Sequence, residues 1–228
     1  MVSSRPPFGI TPVIEGLGLK LPIGAFNGAA IVAPDLSEIE THAVAADVAK
    51  EIVGRLTAAG VSVWVFARGR WVIRDPHGPH VDHERHTINH DPTVVADFGE
   101  DIAHAGKIVG VSTDPDLLAG CERELAAAYA GRATVARSQA YYLDITPVGL
   151  DKGTFLKAIS RITEIPMAEI AVFGDRENDI PMLTVAGLSI AMGNGSPAAR
   201  AAAGHVTASN EEDGVAAGID RIILAGQD

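Results

Sequence analysis

From Asp151 to the C-terminus the chain alternates short apolar runs with helix-like segments, and this alternation limits the possible folds more than any other feature. "EIAVFG", "LSIAMG" and "HVTAS" are bounded by glycines or polar turns and separated by "DIPMLTVAG" and "SPAARAAAG". Short apolar strands linked by helices imply parallel β-α units, because parallel neighbours need a crossover connection. Ahead of them, "KGTFLKAISRIT" places Phe155, Leu156, Ile159 and Ile162 on one helical face. A final helix is expected from Glu212 to about Leu224.

The earlier part reads differently. "LPIGAFNGAAIVA" is a strand broken at Asn27-Gly28, and "THAVAADVAKEIVGRLTAAG" carries Val44, Val48, Ile52 and Leu56 as one helical stripe ending at Gly60. "VSVWVFARGRWVIRD" reads as a β-hairpin turning at Arg68-Gly69. "KIVGVST" is a strand, "DPDLLAGCERELAAAYAG" a helix and "ATVARSQAYYLDIT" a single strand. The expectation is therefore an α/β protein in which an α+β domain, residues 32–146, is inserted into an open sheet formed by residues 1–31 and 147–228. Ligands of such sheets sit beyond the carboxyl ends of the strands.

Charge and composition exclude several functions. Lys plus Arg number 18 against 29 Asp plus Glu, a net charge of −11 without a basic cluster, so nucleic acid is not an expected partner. No run approaches the roughly 20 apolar residues of a membrane span, and "MVSSRPPFGI" lacks the pattern of a secretion signal. The single cysteine, Cys121, excludes an internal disulfide and fits a cytoplasmic protein; its spacing among alanines and leucines makes it a packing residue.

"AVFGDRENDIPML" holds the most chemistry. Asp175, Glu177 and Asp179 crowd a turn at the end of an expected strand. Either they point into water or something positive sits among them. The position at a strand end, with Asn178 beside them, favours a hard cation such as Mg²⁺, which takes oxygen ligands and is commonly held by one or two carboxylates plus phosphate.

"GDRENDIPML", followed by "AGLSIAMGNGSPAARAAAGHVTASNEEDGVAAGI", resembles the last motif and tail of the haloacid dehalogenase (HAD) superfamily, Cof-type subfamily IIB. "ITPVGLDKGTFLKAI" resembles that family's lysine motif, and "AFNGAAIV" the passage into its cap domain. The resemblance implies a Rossmann-like parallel sheet with a type IIB cap and a Mg²⁺-dependent phosphatase acting on a small phosphorylated metabolite of the sugar-phosphate kind. It makes Asp175 and Asp179 the metal residues, Asp175 as direct ligand and Asp179 in the outer shell orienting the lysine. Lys152 would neutralise the phosphoryl group and Asn178 would hydrogen-bond phosphate or metal-bound water. The family's second motif falls on "VSSRPP", making Ser3 a catalytic phosphate donor and adding Ser4, Arg5, Asn27 and Gly28 to the substrate contacts. Ser4 and Arg176 stand where the family often has glycine.

The family's first motif, Asp-x-Asp-Gly-Thr, supplies the nucleophilic aspartate, and it occurs nowhere in the sequence. Two explanations stand. Either the natural reading frame begins earlier and encodes that strand, or this is a degenerate member serving as a non-catalytic phospho-ligand or regulatory module. The first is preferred, because "MVSSRPP" begins inside what the family makes a buried strand. As given, the chain is then expected to be inactive. A phosphomutase using the same covalent chemistry ranks third.

"HGPHVDHERHTINH" spaces five histidines three or four apart, yet Pro79 and the lack of a cysteine partner favour a polar loop and strand over a transition-metal site. Arg137, Ser138 and Tyr141 of the returning strand are candidates to line the substrate pocket.

Overall fold

The computed structural model of the chain describes residues 1–225, and the chain divides into two compact units between Leu150 and Asp151. In the first unit, α1 (Thr11–Leu17) follows a 3-10 turn at Pro7–Ile10. β1 (Ile23–Ala25) and β2 (Ala30–Val32) are joined by the Phe26–Gly28 turn, so they pair antiparallel, and β3 (Glu38–Thr41) pairs antiparallel with β2. The parallel element here is a bridge from Val2 to Gly24. These strands form a sheet of their own, separate from the parallel one that follows Asp151.

α2 (Ala46–Ala58) buries Val48, Ile52 and Leu56, the stripe read from the sequence, while Val44 is buried just ahead of it. β4 (Ser62–Ala67) and β5 (Arg70–Ile73) form the expected hairpin. Its turn residues have φ of 52° at Arg68 and 69° at Gly69, the mirror-image turn whose twist matches that of the strands. Next come α3 (Val81–Ile88), β6 (Thr93–Val94), β7 (Ala105–Val111), α4 (Pro115–Ala128), β8 (Ala133–Gln139) and β9 (Tyr142–Pro147). Asp114 caps α4 by accepting from the Asp116 and Leu117 amides at 3.0 and 3.1 Å, with Pro115 at the first helical position.

The strands from β4 to β9 make one six-stranded sheet ordered β6-β5-β4-β7-β9-β8. Its pairings are antiparallel except for β5 with β6. The period of two along β4 separates two cores. Val63 and Val65 pack with Ile52 and Leu56 of α2 and Leu118 and Leu125 of α4. Trp64 and Phe66 face the other way, joining Trp71, Val109 and Val111 with Ile10, Ile14 and Ile23 from the N-terminal segment and Val81 and Ile88 of α3.

Three expectations need correction. "ATVARSQAYYLDIT" is two antiparallel strands, turning after Gln139 with a register shift between Arg137 and Gln139. Of the pocket candidates, Arg137 and Ser138 therefore lie in β8 and Tyr141 in the turn, and Arg137 is occupied by Glu122 of α4 at 2.8 Å. The histidine segment is not a strand, because Pro79 stops at the helix boundary and leaves "VDHERHTI" free to form α3. There Glu84 accepts from the Tyr142 hydroxyl at 3.1 Å, while His80 stacks on Tyr141 at 4.2 Å and His90 on Phe8 at 4.1 Å.

In the second unit, α5 (Lys152–Thr163) precedes a parallel sheet of β10 (Ala171–Gly174), β11 (Leu188–Ala191) and β12 (His205–Val206). α6 (Ile180–Leu183) and α7 (Pro197–Ala202) make the crossovers read from the sequence. The third correction lies after β12: a 3-10 turn occupies Asn210–Glu212, and the expected terminal helix starts at Gly214 rather than Glu212, as α8 (Gly214–Gly218) running directly into a wider π-type turn at Ile219–Leu224. Asp213, with φ of 52°, sets that start. No helix among the described residues is long and apolar enough to cross a membrane.

Both tryptophans lie in the first unit, so their fluorescence reports its unfolding. Ile108→Ala, at a fully buried site in β7, is expected to lower its stability by about 2–5 kcal/mol in urea titrations. Val94→Ala, at a site 52% exposed, should stay within about 0.5 kcal/mol. Equal losses would contradict the burial assigned to Ile108 and Val94.

Candidate active site

The acidic turn leaves the carboxyl end of β10. Gly174 is required there by space: a Cβ on it would lie 2.6 Å from Asp179 Cβ, so only glycine lets Asp179 fold back against the strand end. Asp179 Oδ2 accepts from the backbone N–H of Asp175 at 2.8 Å and of Arg176 at 3.1 Å. Its Oδ1 accepts from Lys152 Nζ at 2.5 Å. A second close approach places that lysine. A Cβ on Gly153 would lie 2.6 Å from the Pro181 carbonyl oxygen, so glycine lets the start of α5 sit directly on α6. Asp151 starts α5 in a reciprocal cap, accepting from the Thr154 amide at 2.8 Å while its own amide donates to Thr154 Oγ1 at 2.8 Å.

The pair is buried, with side-chain exposures of 11% for Lys152 and 4% for Asp179. Burial alone would push the Asp179 carboxyl up. The Lys152 hydrogen bond and charge, aided by the two backbone amides, more than offset this and hold it below the usual carboxylate range. Asp175 has the opposite fate. Burial first, then the charge and hydrogen bonding of Asp179, push its carboxyl up against the weaker pull of Arg176 and Lys152. Its side chain is 42% exposed, with Arg176 Nε at 3.5 Å. Asp175 thus presents an accessible carboxylate beside the buried Asp179, and a hard cation there would offset their repulsion. Asp179, with both oxygens engaged, suits the orienting role. Asn178 lies in the same turn. Glu177 is exposed and held below its usual range by the Ser196 hydroxyl.

The sequence reading missed the loop after β11. The Ser196 amide donates to the Asp175 carbonyl at 2.8 Å, and a Cβ on Gly195 would meet that carbonyl at 3.2 Å. "GNGSPAAR", with Ser196 capping α7 ahead of Pro197, was the available signal.

The other expected site residues lie in the first unit and form a bracket of their own. Ser3 Oγ accepts from the Arg5 amide at 3.2 Å. The Asn27 amide donates to the Ser3 carbonyl at 2.8 Å, and the Phe26 amide to the Arg5 carbonyl at 3.0 Å. Asn27 and Gly28 have φ of 58° and 101°, which turns the chain sharply at this point. Ser4 is half-buried between Ser3 and the exposed Arg5.

Removing Lys152 would strand a buried carboxylate. Lys152→Met is expected to cost about 3–5 kcal/mol, read as urea unfolding by circular dichroism, and adding Asp179→Asn should recover much of it. Since the Asp179 carboxyl is depressed in the fold, its contribution is present above its unfolded value of about 3.9 and fades as pH falls through the lower folded value. Lys152→Met should flatten that acid loss; an unchanged acid limb would contradict the pairing.

A family model described as haloacid dehalogenase-like hydrolase matches residues 1–219. A haloacid dehalogenase-like hydrolase structure from Bacteroides thetaiotaomicron superposes with a TM-score of 0.88 at 28% identity, covering 97% of this chain and 85% of that one. A HAD subclass IIB sugar phosphatase superposes with a TM-score of 0.82 at 22% identity, over 98% and 84% of the two chains, a likeness of fold. YitU of Bacillus subtilis, a 5-amino-6-(5-phospho-D-ribitylamino)uracil phosphatase, is 43% identical over 76 residues, 33% of this chain and 28% of that protein. The matches span 24%, 28% and 41% of the lengths of three curated relatives. With the family match running through both units and the mixed α/β architecture shared with the solved structures, the chain belongs to the haloacid dehalogenase-like hydrolase family and has the fold of its subclass IIB phosphatases.

Proposed function

We propose that this protein serves the Mg²⁺-dependent hydrolysis of a small phosphate monoester of the sugar-phosphate kind. The observation that carries the reading is the buried Lys152–Asp179 contact at 2.5 Å beside the half-exposed Asp175 carboxylate at a strand's carboxyl end. A dianionic phosphate held among carboxylates needs positive charge on several sides, and this arrangement supplies an ammonium with a place for a cation. Bound Mg²⁺ would supply charge neutralisation of the phosphoryl oxygens.

In this reading Asp175 binds the ion, and Asp179 fixes both Lys152 and the turn through its two engaged oxygens. Lys152 neutralises the phosphoryl group and Asn178 hydrogen-bonds it or its hydration. Ser3 donates its hydroxyl to phosphate, with Ser4, Arg5, Asn27 and Gly28 as further contacts. The same reading takes residues 1–31 and 147–228 as core and 32–146 as cap. A carboxylate oxygen attacks phosphorus in line and the ester oxygen leaves; water then attacks the aspartyl-phosphate and frees inorganic phosphate. The attacking aspartate of an Asp-x-Asp-Gly-Thr motif is not among these 228 residues, and in this reading a chain without it does not turn over. The same absence permits a second reading, a non-catalytic phospho-ligand or regulatory module.

The test is phosphate release from p-nitrophenyl phosphate across a Mg²⁺ titration, comparing this chain with one carrying the upstream Asp-x-Asp-Gly-Thr strand. The extended chain is expected to turn over and the short one to fall at least about a thousandfold below it, as loss of a nucleophile does elsewhere. In the extended form Asp175→Asn should abolish Mg²⁺-dependent turnover while Glu177→Gln leaves it within a few fold. Equal rates for the two lengths, or greater damage from Glu177→Gln, would overturn the assignment.

A further inference from the structure

The acidic turn carries a cation of its own. Asp175, Glu177 and Asp179 crowd three carboxylates together, and Arg176 stands between the first two. Lys152 is committed to Asp179, and Glu177 takes the Ser196 hydroxyl. Asp175 faces the Arg176 guanidinium, whose Nε lies 3.5 Å from its Oδ2. That separation is an ion pair too long for a good hydrogen bond, and the arginine side chain is 70% exposed. Its backbone is fixed, since the Arg176 amide donates to Asp179 Oδ2 at 3.1 Å. Arg176 is thus a guanidinium on a free stem, anchored at the edge of the candidate metal site.

We infer that Arg176 is the resident counter-cation of Asp175 and changes partner during ligand binding. It rests on that carboxylate in the metal-free protein, yields it to Mg²⁺, and then turns to the phosphoryl oxygens of the ligand. The inference deepens the phosphatase reading and rests on it for placing Mg²⁺ on Asp175 and phosphate beside it. What it adds is a coupling by which the metal prepares the anion site.

The exchange follows from charge. A compact divalent ion attracts a carboxylate more strongly than a diffuse guanidinium does, and it repels the guanidinium at the same oxygen. Glu177 is the competing acceptor, but it is exposed to water and already bound by Ser196. A phosphate offers more, because a planar guanidinium can give it two parallel N–H···O bonds. Three carboxylates against Lys152 and Arg176 leave the turn one negative charge, which Mg²⁺ converts to one positive. Without Arg176 the metal-loaded turn would be neutral and would draw a dianion less. A fixed background charge would weaken Mg²⁺ binding and strengthen phosphate binding separately, leaving the effect of one ligand on the other unchanged. A guanidinium that leaves one partner for the other makes each ligand favour the other, and does so reciprocally.

The test is titration calorimetry on the 228-residue chain and its Arg176→Gln variant, with Mg²⁺ titrated in the absence and presence of saturating inorganic phosphate. Glutamine keeps the residue-176 amide that holds Asp179, at an exposed position where substitution is mild. Without phosphate, Arg176→Gln should bind Mg²⁺ about threefold to fivefold tighter, the most an exposed pair supplies. The factor by which phosphate tightens Mg²⁺ binding should be smaller in the variant by about the same amount. The Arg176 Nε–H resonance, identified by its loss in Arg176→Gln, should shift on adding Mg²⁺ and shift again with phosphate. An unchanged coupling factor, or weaker Mg²⁺ binding by Arg176→Gln without phosphate, would overturn the inference. The two proposals fail separately. Mg²⁺ binding that Asp175→Asn abolishes, with equal coupling in parent and Arg176→Gln, would sustain the metal site and remove the role of Arg176. Coupling through Arg176 with no turnover in the extended chain would do the reverse, and a parent chain that binds no Mg²⁺ would overturn both.

Discussion

The second unit is organised around one buried ion pair. Lys152 reaches Asp179 across a contact that exists because Gly153 lets α5 press on α6 and Gly174 lets Asp179 fold back on β10. An unpaired charge at either position would be costly in such surroundings. The other oxygen of Asp179 captures the Asp175 and Arg176 amides, which sets the direction in which the chain leaves the strand. The exposure of the Asp175 carboxylate, and its raised proton affinity, follow from the same arrangement. Chemistry and local fold therefore depend on the same contact.

Much of the fold was legible because its punctuation is strong. Arg68-Gly69 announces a tight hairpin, and Asp114-Pro115 announces a helix start. The parallel units after Asp151 were legible from apolar runs bounded by glycine. The turn at Ala140-Tyr141 was missed because it contains no Gly, Pro, Asn or Asp, and both flanks are strand formers. The histidine segment hid its helix because it offers just Val81 and Ile88 as buried anchors, with polar residues between. The late start of the terminal helix was not legible, since residues 209–214 are polar or glycine and offer no apolar position to fix the first turn.

The site divides in the same way. Asp175, Asp179 and Lys152 were legible as a motif because their chemistry is scarce: an acidic turn at a strand end and a lysine beginning a helix. Ser196 was not, because its contribution is a backbone amide.

The most direct test of the central claim is where a divalent cation binds in the absence of turnover. Titrating Mn²⁺, a paramagnetic stand-in for Mg²⁺, into the isotopically labelled 228-residue chain should broaden the amide signals of Asp175 and its turn first. Excess Mg²⁺ should restore them, and Asp175→Asn should leave them sharp. Broadening centred on Glu177 and Glu212, or unaltered by Asp175→Asn, would contradict the account.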